Sequence, residues 1–346
     1  MTDFEAKLNF LKSPTSYGDG TAAVDCIETH MSWVFLVGDV VYKLKKAVVF
    51  PFLDFSSLAA RAFYCHEEVR LNARLAPDIY QGVAALKYRE GTFSLVPEAR
   101  LPAPGDTVDW LVVMHRLPEH QMLSHRIVHH PITPKDLEPL AAVLASFYKS
   151  AKVMALDAKG YLGRFERELA VNRAILLRPA FQLRDADNAL TQGHEALHLC
   201  TNLLSERVAH QRVVDGHGDL RPEHVCLLEK PVVIDCLEFN PQFRQLDPFD
   251  EISQLGLECA MLGASWVGPY LVSKLAAALG DHVPAPLIHF YTGQRALLRA
   301  RLAMAHLLDD QPRLPDKWPP LAQRYIAQAL QASQALKAAM PHGRLE

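Results

Sequence analysis

Residues 213–239 read VVDGHGDLRPEHVCLLEKPVVIDCLEF. His217, Asp219, His224, Asp235 and Glu238 stand among glycine and proline and then among apolar residues, the pattern of reactive groups carried on a loop and held by rigid elements. The apolar runs 225–228 and 232–234 flank Glu229-Lys230-Pro231 and predict a small β-hairpin behind the polar loop. Closing that hairpin is expected to bring Asp235 back beside Asp219 and His224.

Outward from this segment the chain changes texture. Alternating or continuous β-branched and aromatic runs at 24–27, 33–37, 40–44, 83–88, 92–96 and 108–114 predict strands. Gly38-Asp39 and Glu90-Gly91 suit hairpin turns. One helix interrupts them, from about Leu58 to Leu75, capped by Ser56-Ser57 and stopped by Pro77. After Pro118 helical spacing dominates, at about 134–153, 163–177, 186–209, 251–262, 266–279, 285–307 and 320–339.

The composition excludes several classes. Hydrophobic residues make up 49% and charged residues 22% of 346, so the chain can bury a core and is not expected to be disordered. A net charge of -3 without a long run of like charge gives no footprint of a nucleic-acid or anionic-membrane binder. The longest apolar stretch is broken by Gly38, Asp39 and Lys43, short of a membrane span. MTDFEAKLNF lacks the basic start and apolar core of a signal peptide, so a cytoplasmic location is expected. The scattered cysteines, with no C-x-x-C pair, are expected to be buried thiols.

Phosphoryl transfer needs a carboxylate that orients the attacking hydroxyl and accepts its proton, and hard ligands that hold Mg²⁺ against nucleotide phosphates. Asp219, His224 and Asp235 are side chains able to supply both. The spelling H-G-D-L-x-P-x-x-V followed by V-I-D resembles the H-G-D-x-x-x-x-N loop and I-D metal motif of aminoglycoside phosphotransferases and related small-molecule kinases. That resemblance implies an α+β, two-lobed protein-kinase-like fold. Residues 1–117 would form an N-terminal antiparallel sheet lobe that binds nucleotide. Residues 118–346 would form a larger helical C-terminal lobe with catalytic loop 217–224 and metal motif 234–238. It further implies Asp219 as catalytic base, His217 ordering the loop, Asp235 as metal ligand, and ATP with Mg²⁺ as cofactors. His224 stands where the family has Asn, and imidazole is a softer ligand than Mg²⁺ favours, which makes Mn²⁺ the alternative metal. Glu238 stays open between the metal's surroundings and a strand end.

Such a site also needs a strand lysine for the phosphates and a helical glutamate to hold it. Lys43 and Lys45 share one face of the strand 40–46. Lys43 is favoured and Lys45 is the alternative. Glu68 is preferred to Glu67, because Asn72 one turn on shares its face. No G-x-G-x-x-G precedes the strand, and the turn Thr29-His30-Met31-Ser32 occupies its place, with Ser32 a candidate phosphate contact. The strand 110–114 followed by His115-Arg116-Leu117-Pro118 resembles the linker between lobes. Backbone near Met114 and Arg116 would then meet adenine, although a core strand ending in a turn reads the same way.

More closely, ETHMSWVFLVGDVVYKLKK, FLDFSSL, EVRLNARLAPDIY and VMHRLP, with the acidic segment, resemble a bacterial subgroup of uncharacterised phosphotransferase-like proteins, over about 25–263. Some of these carry a further C-terminal P-loop ATPase domain, whose G-x-x-x-x-G-K-[ST] does not occur in this sequence. The run 243–252, FRQLDPFDEI, is similar to the family's G-D-P-x-x-D-L-A, so Asp247 and Glu251 are expected to brace the loop backbone or pair with Arg244.

The function so implied is transfer of the γ-phosphoryl group of ATP to a hydroxyl of a small molecule, whose identity fold alone does not give. Neither nucleic acid nor membrane is expected as a partner. Two other readings stay open. One is a nucleotide-binding pseudokinase, motivated by His224 and the missing glycine-rich loop. The other is a hydrolase with His217, Asp219, His224 and Asp235 around Zn²⁺ or Mn²⁺.

Overall fold

The computed structural model describes residues 3–18, 20–309 and 311–340. The chain opens with α1 (Phe4–Lys12), β1 (Asp25–Glu28), β2 (Ser32–Val37), β3 (Val40–Lys45), β4 (Val49–Phe50) and β5 (Leu53–Asp54). Helix α2 (Leu58–Asn72) then leads to β6 (Tyr80–Arg89), β7 (Thr92–Pro97) and β8 (Asp106–His115). Helices α3 (Leu123–His129), α4 (Pro134–Ser150), α5 (Ala158–Leu176), α6 (Ala186–Leu199) and α7 (Thr201–Ala209) follow. Four short strands come next: β9 (Val214–Asp215), β10 (Val225–Cys226), β11 (Val232–Val233) and β12 (Gln245–Leu246). The last helices are α8 (Pro248–Met261), α9 (Val267–Leu279), α10 (Ala285–Ala305) and α11 (Trp318–Ala339). Among the described residues no helix is long and apolar enough to cross a membrane.

The chain divides into two compact units, one of residues up to Arg126 with Glu223–Phe243, the other of Ile127–Pro222 with residues from Arg244 on. The first is built on a six-stranded sheet in the order β1-β2-β3-β8-β6-β7. Every neighbouring pair is antiparallel. The expected turns at Gly38-Asp39 and Glu90-Gly91 close β2 onto β3 and β6 onto β7.

Alternation along the strands sorts side chains to two faces. On one, Val41, Val83, Val112 and Met114 pack with Cys65 of α2 and with Cys226 and Val232 of the β10–β11 hairpin. On the other, Phe35, Leu44, Leu86 and Leu111 pack against Leu8 and Leu11 of α1. Ser57 caps α2 by accepting from the Ala60 N–H at 3.1 Å. The segment 223–243, expected with the helices, packs with the sheet. Its backbone is tied there by Leu227 N–H to Gln121 O at 2.8 Å and Val233 N–H to Leu75 O at 3.3 Å.

The second unit is helical, with the antiparallel β9–β12 pair joining Val214 to Leu246 and Asp215 to Gln245. The helix expected over 186–209 is two, α6 and α7, because Cys200 leaves helical geometry at φ -94°, ψ 3° and sits fully buried between them. Asp247 caps α8 through the Phe249 N–H at 2.9 Å, with Pro248 in the first turn.

Candidate active site

In the sheet unit, Lys43 and Lys45 project from β3 on the same face as Val41, toward α2. Both reach Glu68. Lys43 Nζ donates to Glu68 Oε1 at 2.9 Å and to Asp235 Oδ1 at 2.8 Å. Lys45 Nζ donates to Glu68 Oε2 at 2.6 Å and to Glu238. The five groups form one string of alternating charge, Asp235–Lys43–Glu68–Lys45–Glu238, with Glu68 sharing one oxygen with each lysine. Glu68 and Lys45 are buried, while the Asp235 side chain at the string's end is 45% exposed.

Burial works against the charge of Lys43, Lys45, Glu68 and Glu238, and the neighbours overcome it for all of these but Glu238. Burial disfavours the Lys43 ammonium, yet Asp235, Glu68 and Glu238 hold its pKa well above the usual lysine value. Burial likewise opposes charge on Lys45, but Glu238 and Glu68 raise its pKa. Burial would raise the Glu68 pKa, but the two lysines bring it below the ordinary value. For Glu238 burial wins over Lys45, and its pKa is raised. Removing one partner from such a buried set costs roughly 3–5 kcal/mol, because it strands a charge.

Asp235 follows β11 in a left-handed conformation, φ 62°. Its N–H donates to the Tyr80 hydroxyl at 3.3 Å, and the next N–H, of Cys236, donates to Asn72 Oδ1 at 2.9 Å. Asn72 in turn donates to Glu68 O at 2.8 Å, so one helix carries both the glutamate and the amide that steadies the loop. His224 Nε2 lies 3.6 Å from Asp235 Oδ2. The Ile234 N–H to His224 O bond, 2.9 Å, closes the hairpin that brings the two together.

The helical unit holds the H-G-D turn. The N–H groups of His217 and Gly218 both donate to the Glu251 carboxylate, His217 at 3.1 Å, and Tyr148 Oη donates to the same group at 2.9 Å. Burial raises the Glu251 pKa, and these donors pull against it. A Cβ on Gly216 would lie 2.7 Å from Glu251 Oε2 and from Leu246 Cδ1, so the carboxylate approaches this closely only because residue 216 is glycine. His217 is buried, and its Nδ1 accepts from the Asp219 N–H at 3.3 Å. Asp219 accepts from Gln254 Nε2 at 2.9 Å and from Arg221 Nε at 3.0 Å.

Glu251 thus braces the loop backbone, as its place in the sequence leads one to expect. Arg244 pairs with Asp215 at 2.8 Å, whereas Asp247 is gripped by Arg207 and Tyr291. Gln254 had no role assigned from sequence. The signal that finds it is helical spacing along α8, where Asp247, Glu251, Gln254 and Glu258 recur on one face.

Ser32, Met114 and Arg116 do not gather at one point. Ser32 pairs with Lys45 at one end of β3, its N–H taken by Thr29 Oγ1 at 2.9 Å. Met114 pairs with Val41 toward the other end, and the Arg116 N–H donates to Asp39 O at 2.8 Å. Glu238 is at the opposite end of the charge string from Asp235, engaged by Lys45.

An antiparallel sheet unit with a lysine–glutamate pair between strand and helix, and a helical unit with an H-G-D turn, are arranged along the chain as in the kinase-like fold. Solved structures carry the same fold. A choline/ethanolamine kinase family protein of Mesorhizobium loti is 15% identical with a TM-score of 0.54, covering 97% of this chain and 98% of its own. Choline kinase of Cryptosporidium parvum is 9% identical, also at 0.54, covering 97% of each chain. In sequence the chain is 30% identical over 294 residues, 84% of its length, to an uncharacterised protein of Mycobacterium tuberculosis. It spans 56% of that relative, about half its length. No family model matches the chain.

Proposed function

We propose that this protein transfers the γ-phosphoryl group of ATP to a hydroxyl of a small molecule. The observation that carries the reading is the Lys43 ammonium held between Glu68 and the half-exposed carboxylate of Asp235. A strand lysine oriented by a helical glutamate presents a fixed positive charge for phosphate oxygens. Asp235 and His224 fit a divalent cation as one carboxylate and one imidazole, a donor set more congenial to Mn²⁺ than to Mg²⁺. When bound, the ion would neutralise charge on the phosphates. Glu238, occupied by Lys45, is assigned to that lysine. Asp219 is the proposed base. Its two oxygens accept from Arg221 Nε and Gln254 Nε2, which fix the orientation of the carboxylate that would receive the acceptor's hydroxyl proton. The fold neighbours named for choline and ethanolamine kinases favour a small alcohol as acceptor.

A second reading rests on His224. Its imidazole beside Asp235 also supports a nucleotide-binding protein without turnover. A metal-dependent hydrolase would leave the lysine–glutamate string without a role.

Calorimetric titration with ATP and GTP, each with Mg²⁺ and with Mn²⁺, tests the site without knowledge of the acceptor. Metal-dependent binding is expected for the wild type, weakened about tenfold or more by Asp235→Asn. No binding with either metal rejects the kinase-like reading.

A further inference from the structure

We infer that Lys45 and Glu238 form a clasp that holds the left-handed turn at Asp235, making Lys45 a positioning residue for the proposed metal carboxylate and not a phosphate contact. The inference rests on the kinase-like reading of the site.

Three observations carry it. First, Lys45 is 1% exposed, and its ammonium is spent on two buried carboxylates, Glu68 and Glu238, with the ring of Phe55 5.1 Å away. Of the two lysines only Lys43 is joined to a half-exposed group. Second, residues 234–238 have no regular structure, so no strand ladder maintains φ 62° at Asp235, a conformation non-glycine residues adopt at a cost. Third, side chains from three elements do that work instead. Tyr80 of β6 receives the Asp235 N–H, Asn72 of α2 receives the Cys236 N–H, and Lys45 of β3 anchors the segment's far end at Glu238. Lys45 also neutralises one oxygen of Glu68, leaving the other for Lys43. A single glutamate can therefore serve two lysines with different tasks.

The test compares wild type with Lys45→Met, Glu238→Gln, the double variant and Lys45→Arg. Hydrogen–deuterium exchange of the peptide containing 234–239 is read against peptides of β6 and β8 in the same sample. The 234–239 amides are expected to exchange about tenfold faster in each neutralising variant while β6 and β8 stay protected. The double variant, which strands neither member of the pair, supplies the result if a single variant does not fold. Mn²⁺ affinity, measured by electron paramagnetic resonance without nucleotide, is expected to fall about tenfold in parallel and to recover in Lys45→Arg.

Unchanged exchange at 234–239 overturns the clasp. Faster exchange with unchanged Mn²⁺ affinity, or a wild type that binds no Mn²⁺, overturns the positioning role. Loss of metal-free ATP binding in Lys45→Met with 234–239 still protected makes Lys45 a phosphate contact and also overturns the inference. Failure of the wild type to bind ATP would reject the kinase-like function while leaving the exchange result standing, so the two failures are distinguishable.

Discussion

Asp219 is fixed by donors on both of its oxygens, Gln254 from α8 and Arg221 from its own loop, and its N–H is received by His217. A carboxylate so restrained loses little entropy on meeting a hydroxyl, which is the condition for efficient general-base chemistry. Asp219→Asn keeps the shape and can still hydrogen-bond, but it cannot take a proton. It is expected to lower kcat by about 10²–10⁴ while nucleotide affinity by calorimetry changes less than about twofold. Turnover at the wild-type rate would remove Asp219 from the proposed role. The two acids of the 234–238 segment divide by surroundings: Asp235 is half-exposed beside His224, whereas Glu238 is buried on Lys45. Sequence offered Asp235 as a metal ligand and left Glu238 open between the metal's surroundings and a strand end, because residue type and spacing carry no information about which carboxylate a neighbouring lysine claims.

Much of the site's framework was legible from periodicity. Period-two alternation put Lys43 and Lys45 on one face of β3, and helical spacing selected Glu68 and Asn72 on α2, where both are buried and engaged. Choosing between the lysines was not legible, since both meet the same glutamate and differ only in what lies beyond it. Helix α1 was missed because its apolar stripe is short, with only Leu8 and Leu11 buried among its hydrophobic residues, and it covers a sheet face the sequence left unassigned. The α6–α7 break was missed because a buried cysteine carries no signature of a helix end. Helix α8 supplies Asp247, Glu251 and Gln254, and its position depends on how near α9 can come. A Cβ on Gly256 would lie 2.7 Å from the Gly268 Cα, a backbone atom that cannot swing aside. Gly256→Ala is therefore expected to cost about 1–3 kcal/mol in urea unfolding. It should also lower kcat, because α8 must shift and carries Glu251 and Gln254 with it. Wild-type stability and turnover in that variant would show that α8 has room to move.

The chain as a whole keeps its cysteines as thiols: Cys65, Cys200, Cys226, Cys236 and Cys259 are buried, and Cys26 is exposed, a departure from the all-buried expectation. Many buried hydrophobic side chains supply the stability, so no cross-link is required of the cysteines. The buried thiols do tie stability to pH. Burial pushes the Cys200 pKa up to about 12, and burial does the same for Cys65, against Lys45 and with Glu68, Asp109 and Glu238. A group whose pKa is raised by folding holds its proton more tightly in the native state. Its contribution is therefore complete below the ordinary thiol value of about 8.5 and is lost as pH rises from there toward the folded value. While the unfolded thiol is ionised and the native one is not, each such group lowers unfolding free energy by about 1.4 kcal/mol per pH unit. Cys200 is the cleaner probe, because burial alone moves it and it lies between α6 and α7, in the unit that does not contain Lys43, Glu68 or Asp235. Urea unfolding of wild type between pH 9 and 11 should lose stability more steeply than that of Cys200→Ala, by up to about 1.4 kcal/mol per pH unit. Parallel slopes would mean that the Cys200 thiol ionises as readily folded as unfolded, and that its burial is relieved by local opening before the unit unfolds.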